Sequence, residues 1–183
     1  MVSDKEIINQ TKQWIEKIVI GLNFCPFAKK VFDKSTIFYF VDKSESIEKQ
    51  LENIINKCEL LDSNKDIETG FIIYPAELKN FNDYLYLLEL ANRLIIDCGY
   101  EGTYQLASFH PQYCFEGVSI DAAENYTNRS PYPMLHLIRE KDLEKAITGY
   151  QQADKIPQRN IELAKNKGAS YFIEKLTKIK QRI

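Results

Sequence analysis

The stretch Glu124–Glu140, ENYTNRSPYPMLHLIRE, restricts the fold of this chain more than any other part of it. Asn125, Thr127, Asn128 and Ser130 carry short polar side chains that bond their own backbone and favour turns. Pro131 and Pro133 push the residues before them, Ser130 and Tyr132, toward extended geometry. The segment therefore reads as a stiff loop feeding a strand over Met134–Arg139. Alternation puts Met134, His136 and Ile138 on one face of that strand and Leu135, Leu137 and Arg139 on the other. A rigid polar loop entering a buried strand is a way for a scaffold to hold functional groups still. The plainer alternative is a proline-braced connection in which Arg129 and Arg139 pair with carboxylates and His136 is a satisfied core histidine.

The rest of the chain alternates between two periodicities. Ser3 and Glu6 form a capping-box pattern ahead of Ile7, Ile8, Thr11, Trp14, Ile15, Ile18, Val19 and Leu22 at helical spacing, which predicts a helix closed at Gly21. Thr36–Val41, Thr69–Tyr74 and Thr103–Phe109 are β-branched and aromatic runs that predict strands. Between them, a helix capped at Ser44 carries Ile47, Leu51, Ile54, Ile55 and Cys58. A second, starting at Asn80 or Asn82, runs to Cys98 and is closed by Gly99. The span from His110 to Ser130 reads as irregular chain, long enough to suggest function. Beyond Arg139 come a short helix over 141–147, one starting in Lys155–Asn160 with Pro157 near its first position and broken at Gly168, and one over 170–179, ending in the basic tail Lys178–Ile183.

This order predicts an α+β fold: about four strands in a mixed sheet, helices packed on it, and a helical C-terminal region. The expected organisation is one domain over 1–183, with a helical segment at 3–21, an α+β core at 35–140 and helices from 141 onward. The first two strand connections pass through helices and would be right-handed parallel crossovers if their strands are neighbours.

Composition narrows the function classes. A net charge of −2 and a pI near 5.8 leave no basic excess for general nucleic-acid binding. No apolar run approaches the length that spans a bilayer. Cys25, Cys58, Cys98 and Cys114 lie far apart without a C-x-x-C, the pattern of reduced cytoplasmic thiols.

The first functional reading is a small-molecule enzyme or binder with a positively biased polar cleft for a carboxylate or phosphate. Arg129, Arg139 and Arg159 present planar forks suited to such groups, and Arg159 and Asn160 sit near a helix start. Asn125 and Asn128 could orient a substrate, with Tyr126 as apolar wall. His110 and His136, beside strand ends, are the candidate proton-transfer groups. Arg139 lies opposite His136 by alternation, so only one of the two fronts the cleft unless a bulge intervenes. Cys25, between Phe24 and Pro26, is a candidate nucleophile that needs a histidine in contact to be activated; inert packing is the plainer role. A metal or haem site from Cys25, His110, Cys114 and His136 is a second reading, with only His110 and Cys114 closely spaced. A non-catalytic interaction domain is a third. Which cofactor, if any, the chain holds is left open by the sequence.

Five segments together resemble a bacterial family: Trp14, Val19–Ala28, Phe109-His110-Pro111, Glu124–Glu140, and Ile156-Pro157-Gln158-Arg159-Asn160. It is domain-of-unknown-function family 1415. The resemblance covers nearly the whole chain and implies no particular activity.

Overall fold

Ser3 starts the first helix, its hydroxyl accepting the Glu6 backbone N–H at 3.3 Å. In the computed structural model, which describes residues 2–181, helix α1 runs over Asp4–Trp14 and passes into a π-helical segment, Ile15–Ile20. The wider turn shows in two bonds that skip an extra residue: Gly21 N–H to Glu16 O at 2.9 Å and Phe24 N–H to Val19 O at 2.8 Å. Gly21 ends it with ordinary helical φ; a Cβ there would lie 2.6 Å from the Lys17 carbonyl oxygen, so this close turn admits only glycine.

A short helix with no apolar stripe to announce it, α2 (Ala28–Asp33), precedes strand β1 (Ile37–Val41). Helix α3 (Ile47–Ser63) is capped by Ser46 rather than Ser44, because Ser44 is drawn into bonds with Asp42 and Asn53. Strand β2 (Thr69–Ile73), helix α4 (Phe81–Asp97, capped by Asn80) and strand β3 (Tyr104–Phe109) follow. The irregular span contains one 3-10 turn, Ala123–Thr127, before strand β4 (Met134–Arg139). Helices α5 (Glu140–Thr148), α6 (Ile156–Lys167) and α7 (Ala169–Lys180) complete the C-terminal region; Arg182 and Ile183 of the basic tail lie outside the described residues.

The fold is α+β, with a four-stranded mixed sheet in the order β1-β2-β4-β3. β1 and β2 are parallel neighbours, whereas β4 inserts between β2 and β3 and is antiparallel to both. The helical connection from β2 to β3 therefore joins strands that never touch.

Alternation sorts the side chains into two layers. On one face Ile72, Leu135 and Leu137 pack against Ile54, Cys58 and Leu61 of α3 and Tyr84, Leu87 and Ala91 of α4. On the other, Phe71, Ile73 and Met134 meet Ile7, Trp14 and Ile18 from the N-terminal helix, with Phe172 and Ile179 of α7. No described helix is long and apolar enough to cross a membrane.

Candidate functional site

On the second face the helices leave part of the sheet uncovered, and a cavity of about 780 Å³ opens there. Its floor is Thr69 and Phe71 of β2, His136 and Ile138 of β4, and Ala107 and Phe109 of β3. Trp14, Ile15 and Val19 form one wall, the last two from the π-helical segment; Cys25, Pro26 and Phe27 form another. Most of the lining is apolar. The charged groups at its edge, Lys30, Lys34, Asp142 and Lys145, are exposed and mark the mouth; Lys34 pairs with Glu68 at 3.0 Å and Lys145 approaches Asp142 at 3.5 Å.

His136 is the polar group of the floor. Thr69 Oγ1 lies 2.5 Å from the Leu137 carbonyl and 2.8 Å from His136 Nε2. Two oxygens that close need a hydrogen between them, so the hydroxyl donates to Leu137 O and Nε2–H donates to the hydroxyl. The imidazole is neutral with its hydrogen on Nε2. Burial pushes its pKa down to about 3, since no anion compensates the lost hydration of an imidazolium. Cys25 lines the same cavity, and burial raises its thiol pKa against the lowering effect of the Phe27 and Ala28 backbone N–H groups.

The loop bearing Cys25 is held from a distance. Arg159, near the start of α6, donates to the Asn23 carbonyl, and Asn160 Nδ2 donates to Phe24 O at 2.7 Å. Asn23 itself takes the left-handed conformation, φ 54°. Arg159 and Asn160 therefore brace a cavity wall rather than face the cavity.

The other expected site residues lie elsewhere, each engaged within the chain. His110 is fully buried: Gln112 N–H donates to Nδ1 at 3.0 Å, and Nε2–H donates to Leu78 O at 2.8 Å, fixing the tautomer beside the rings of Phe81 and Tyr84. Its pKa is lowered by burial. Asn125, also fully buried, accepts Phe115 N–H at 3.0 Å and donates to Ser119 O at 2.8 Å, organising the irregular loop. Asn128 donates to Ser108 O at 3.2 Å. Tyr126 stacks on Phe172 with centroids 5.1 Å apart. Arg129 lies over the Tyr126 ring at 4.6 Å and donates to Tyr113 O and Ile120 O at 3.0 and 2.6 Å.

Arg139 touches the cavity edge, but its guanidinium donates to Leu61 O at 2.5 Å and Ile67 O at 3.2 Å, where it closes the C-terminal end of α3. Of the ten expected residues, the cavity brings together Cys25 and His136, with Arg139 at the rim. The residues expected to share one polar hollow are divided: Cys25 and His136 line the mainly apolar cavity, while Arg129 lines a separate hollow of about 450 Å³ with Phe81, Pro111, Gln112, Ile120 and Asp121. Among the described residues no three of His, Cys, Asp or Glu are gathered as metal ligands, and Cys114 bonds within its own loop, to Val118 O at 3.2 Å.

Thr69, Ala107, Lys30, Lys34 and Lys145 were not singled out from sequence. For Thr69 a usable signal existed: it stands two residues before Phe71, hence on the same face, and only the pairing of β2 with β4 was needed to set it beside His136.

A four-stranded mixed sheet with helices packed on both faces, and a mainly apolar cavity between one face and its helices, define an α+β protein. The chain belongs to the family described as protein of unknown function (DUF1415), whose model matches residues 6–174. No curated protein and no solved structure matches the chain.

Proposed function

We propose that this protein binds a small molecule with an apolar body and an anionic group, the body lying in the cavity over His136 and the carboxylate or phosphate held at the lysine mouth. The observation that carries this reading is the cavity itself. Its volume of about 780 Å³ falls within the span of ligand pockets, roughly 300–1,000 Å³, which are mainly apolar with a few placed polar groups. Lys30, Lys34 and Lys145 outnumber the carboxylates of Glu68 and Asp142 at its edge, which supports an anion there.

Recognition is favoured over proton transfer by the two candidate catalytic groups at the cavity. An imidazole held neutral down to about pH 3 and a thiol raised by burial are both displaced from the neutral range in which general acids and bases work best. His136 Nδ1 is available instead as a hydrogen-bond acceptor. Four cysteines, all free, support a reducing, cytoplasmic setting.

Thermal shift with a series of apolar carboxylates and their matching alcohols tests the reading. The melting temperature rises with carboxylate concentration by mass action, and Lys30→Glu combined with Lys145→Glu removes the advantage of carboxylate over alcohol. No shift with any compound, or an unchanged carboxylate advantage in the double variant, would reject it.

A further inference from the structure

On the cavity face, Tyr39, Phe71, His136 and Ala107 are paired in register across β1, β2, β4 and β3, and so make one row of the sheet. The first three are planar rings in near-parallel stack. Tyr39 and Phe71 lie 6.0 Å apart at 10°, and Phe71 and His136 lie 4.2 Å apart at 8°. This order has a simple cause. Neighbouring strands are about 4.8 Å apart, close to the separation at which offset rings stack, so rings in one row meet face to face.

At the fourth place the row stops. Ala107 is a methyl group where another ring would continue the stack, and it leaves the second face of the imidazole open to the cavity that both residues line. Trp14 and Phe109 stand around that space, 5.0 Å apart and steeply inclined to each other. Phe109 is 6.5 Å from His136 and tilted by 38°, too far and too inclined to serve as the missing ring.

We infer that the place above Ala107 is a slot for a planar ring of the ligand, which stacks on His136 as the fourth member of the row. The ligand class is then an aryl or heteroaryl acid rather than an aliphatic one. This inference rests on the reading that the cavity takes an apolar molecule with an anionic group, and it specifies the shape of the apolar part. Strand pairing sets where the ring lies; the lysines at the mouth set where its acid points.

Isothermal calorimetry on the full chain with 1-naphthoate and decahydro-1-naphthoate tests it. The two share a carbon skeleton and a charge, and only the first is flat. Naphthoate is expected to bind about tenfold tighter, the gain of one well-formed ring stack. Ala107→Phe places the protein's own ring in the slot, and is expected to weaken naphthoate by about tenfold and to remove its advantage over the saturated acid. Ala107→Val, a smaller obstruction compatible with a strand, is expected to act in the same direction and decides the matter should the phenylalanine variant not fold. Equal affinity for the two acids, or naphthoate binding indifferent to the Ala107 substitutions, overturns the slot and leaves the binding reading standing. Failure of both acids to bind overturns the two together.

Discussion

At His136 the Thr69 hydroxyl decides the tautomer, and burial decides the charge. The folded pKa is depressed to about 3 from the ordinary 6.5. Between those values the unfolded chain holds a proton that the folded one does not, so stability rises with pH in this window. The stability His136 contributes is complete above pH 6.5 and is lost as the solution is acidified toward pH 3. His136→Phe keeps a ring beside Phe71 but removes the proton site. Urea unfolding of the variant between pH 6.5 and pH 4 is expected to show a limb shallower by up to one proton, about 1.4 kcal/mol per pH unit. An unchanged slope would mean that His136 is charged when folded. His110 is also lowered by burial and leaves a residual slope in the variant. A loop arginine among asparagines, Arg129, resembles an anion ligand in sequence, yet its guanidinium is spent on Tyr113 O, Ile120 O and the Tyr126 ring. Sequence shows the donors of a side chain and not the carbonyls that will claim them.

Among the elements, α6 has a role in the cavity without entering it. Asn160, 8% exposed, donates to Phe24 O, and this bond ties the C-terminal helices to the wall that carries Cys25. Asn160→Ala leaves that carbonyl without its partner, at a cost of about 1–3 kcal/mol in stability by denaturant titration. The freed loop exposes its thiol, so alkylation of Cys25 is expected to accelerate more than that of Cys58 in α3. Equal acceleration at both sites would indicate general loosening. The strands were legible because their aromatic and β-branched runs have few alternative uses: Met134–Arg139 was placed to the residue and Thr69–Ile73 to within one. The long helices were legible from their apolar stripes. α2 was not, because its six residues bury no side chain completely and show no such stripe. The π-helical turn was hidden for a different reason. Gly21 has the look of a helix terminator, while the widening that precedes it depends on bonds to Glu16 and Val19 that no periodicity records.

For the whole molecule, layer order was legible and strand order was not. Period-two alternation sorts side chains into faces without saying which strands adjoin. That His136 would have Phe71 on one side and Ala107 on the other follows only from the insertion of β4 between β2 and β3. The candidate site was therefore half visible, in Cys25 and His136, with the aromatic row dispersed over more than ninety residues of chain. The same insertion governs the timing of biogenesis. The last of the four strands to be synthesised is the one between β2 and β3, so β2 and β3 each wait with an open edge while the span up to Arg139 is translated. Ribosome-bound nascent chains arrested before β4 has left the exit tunnel are expected to be cut freely by protease in both β2 and β3. Chains arrested after it emerges gain their first protection in those two segments together, as a keystone secures both halves of an arch at once.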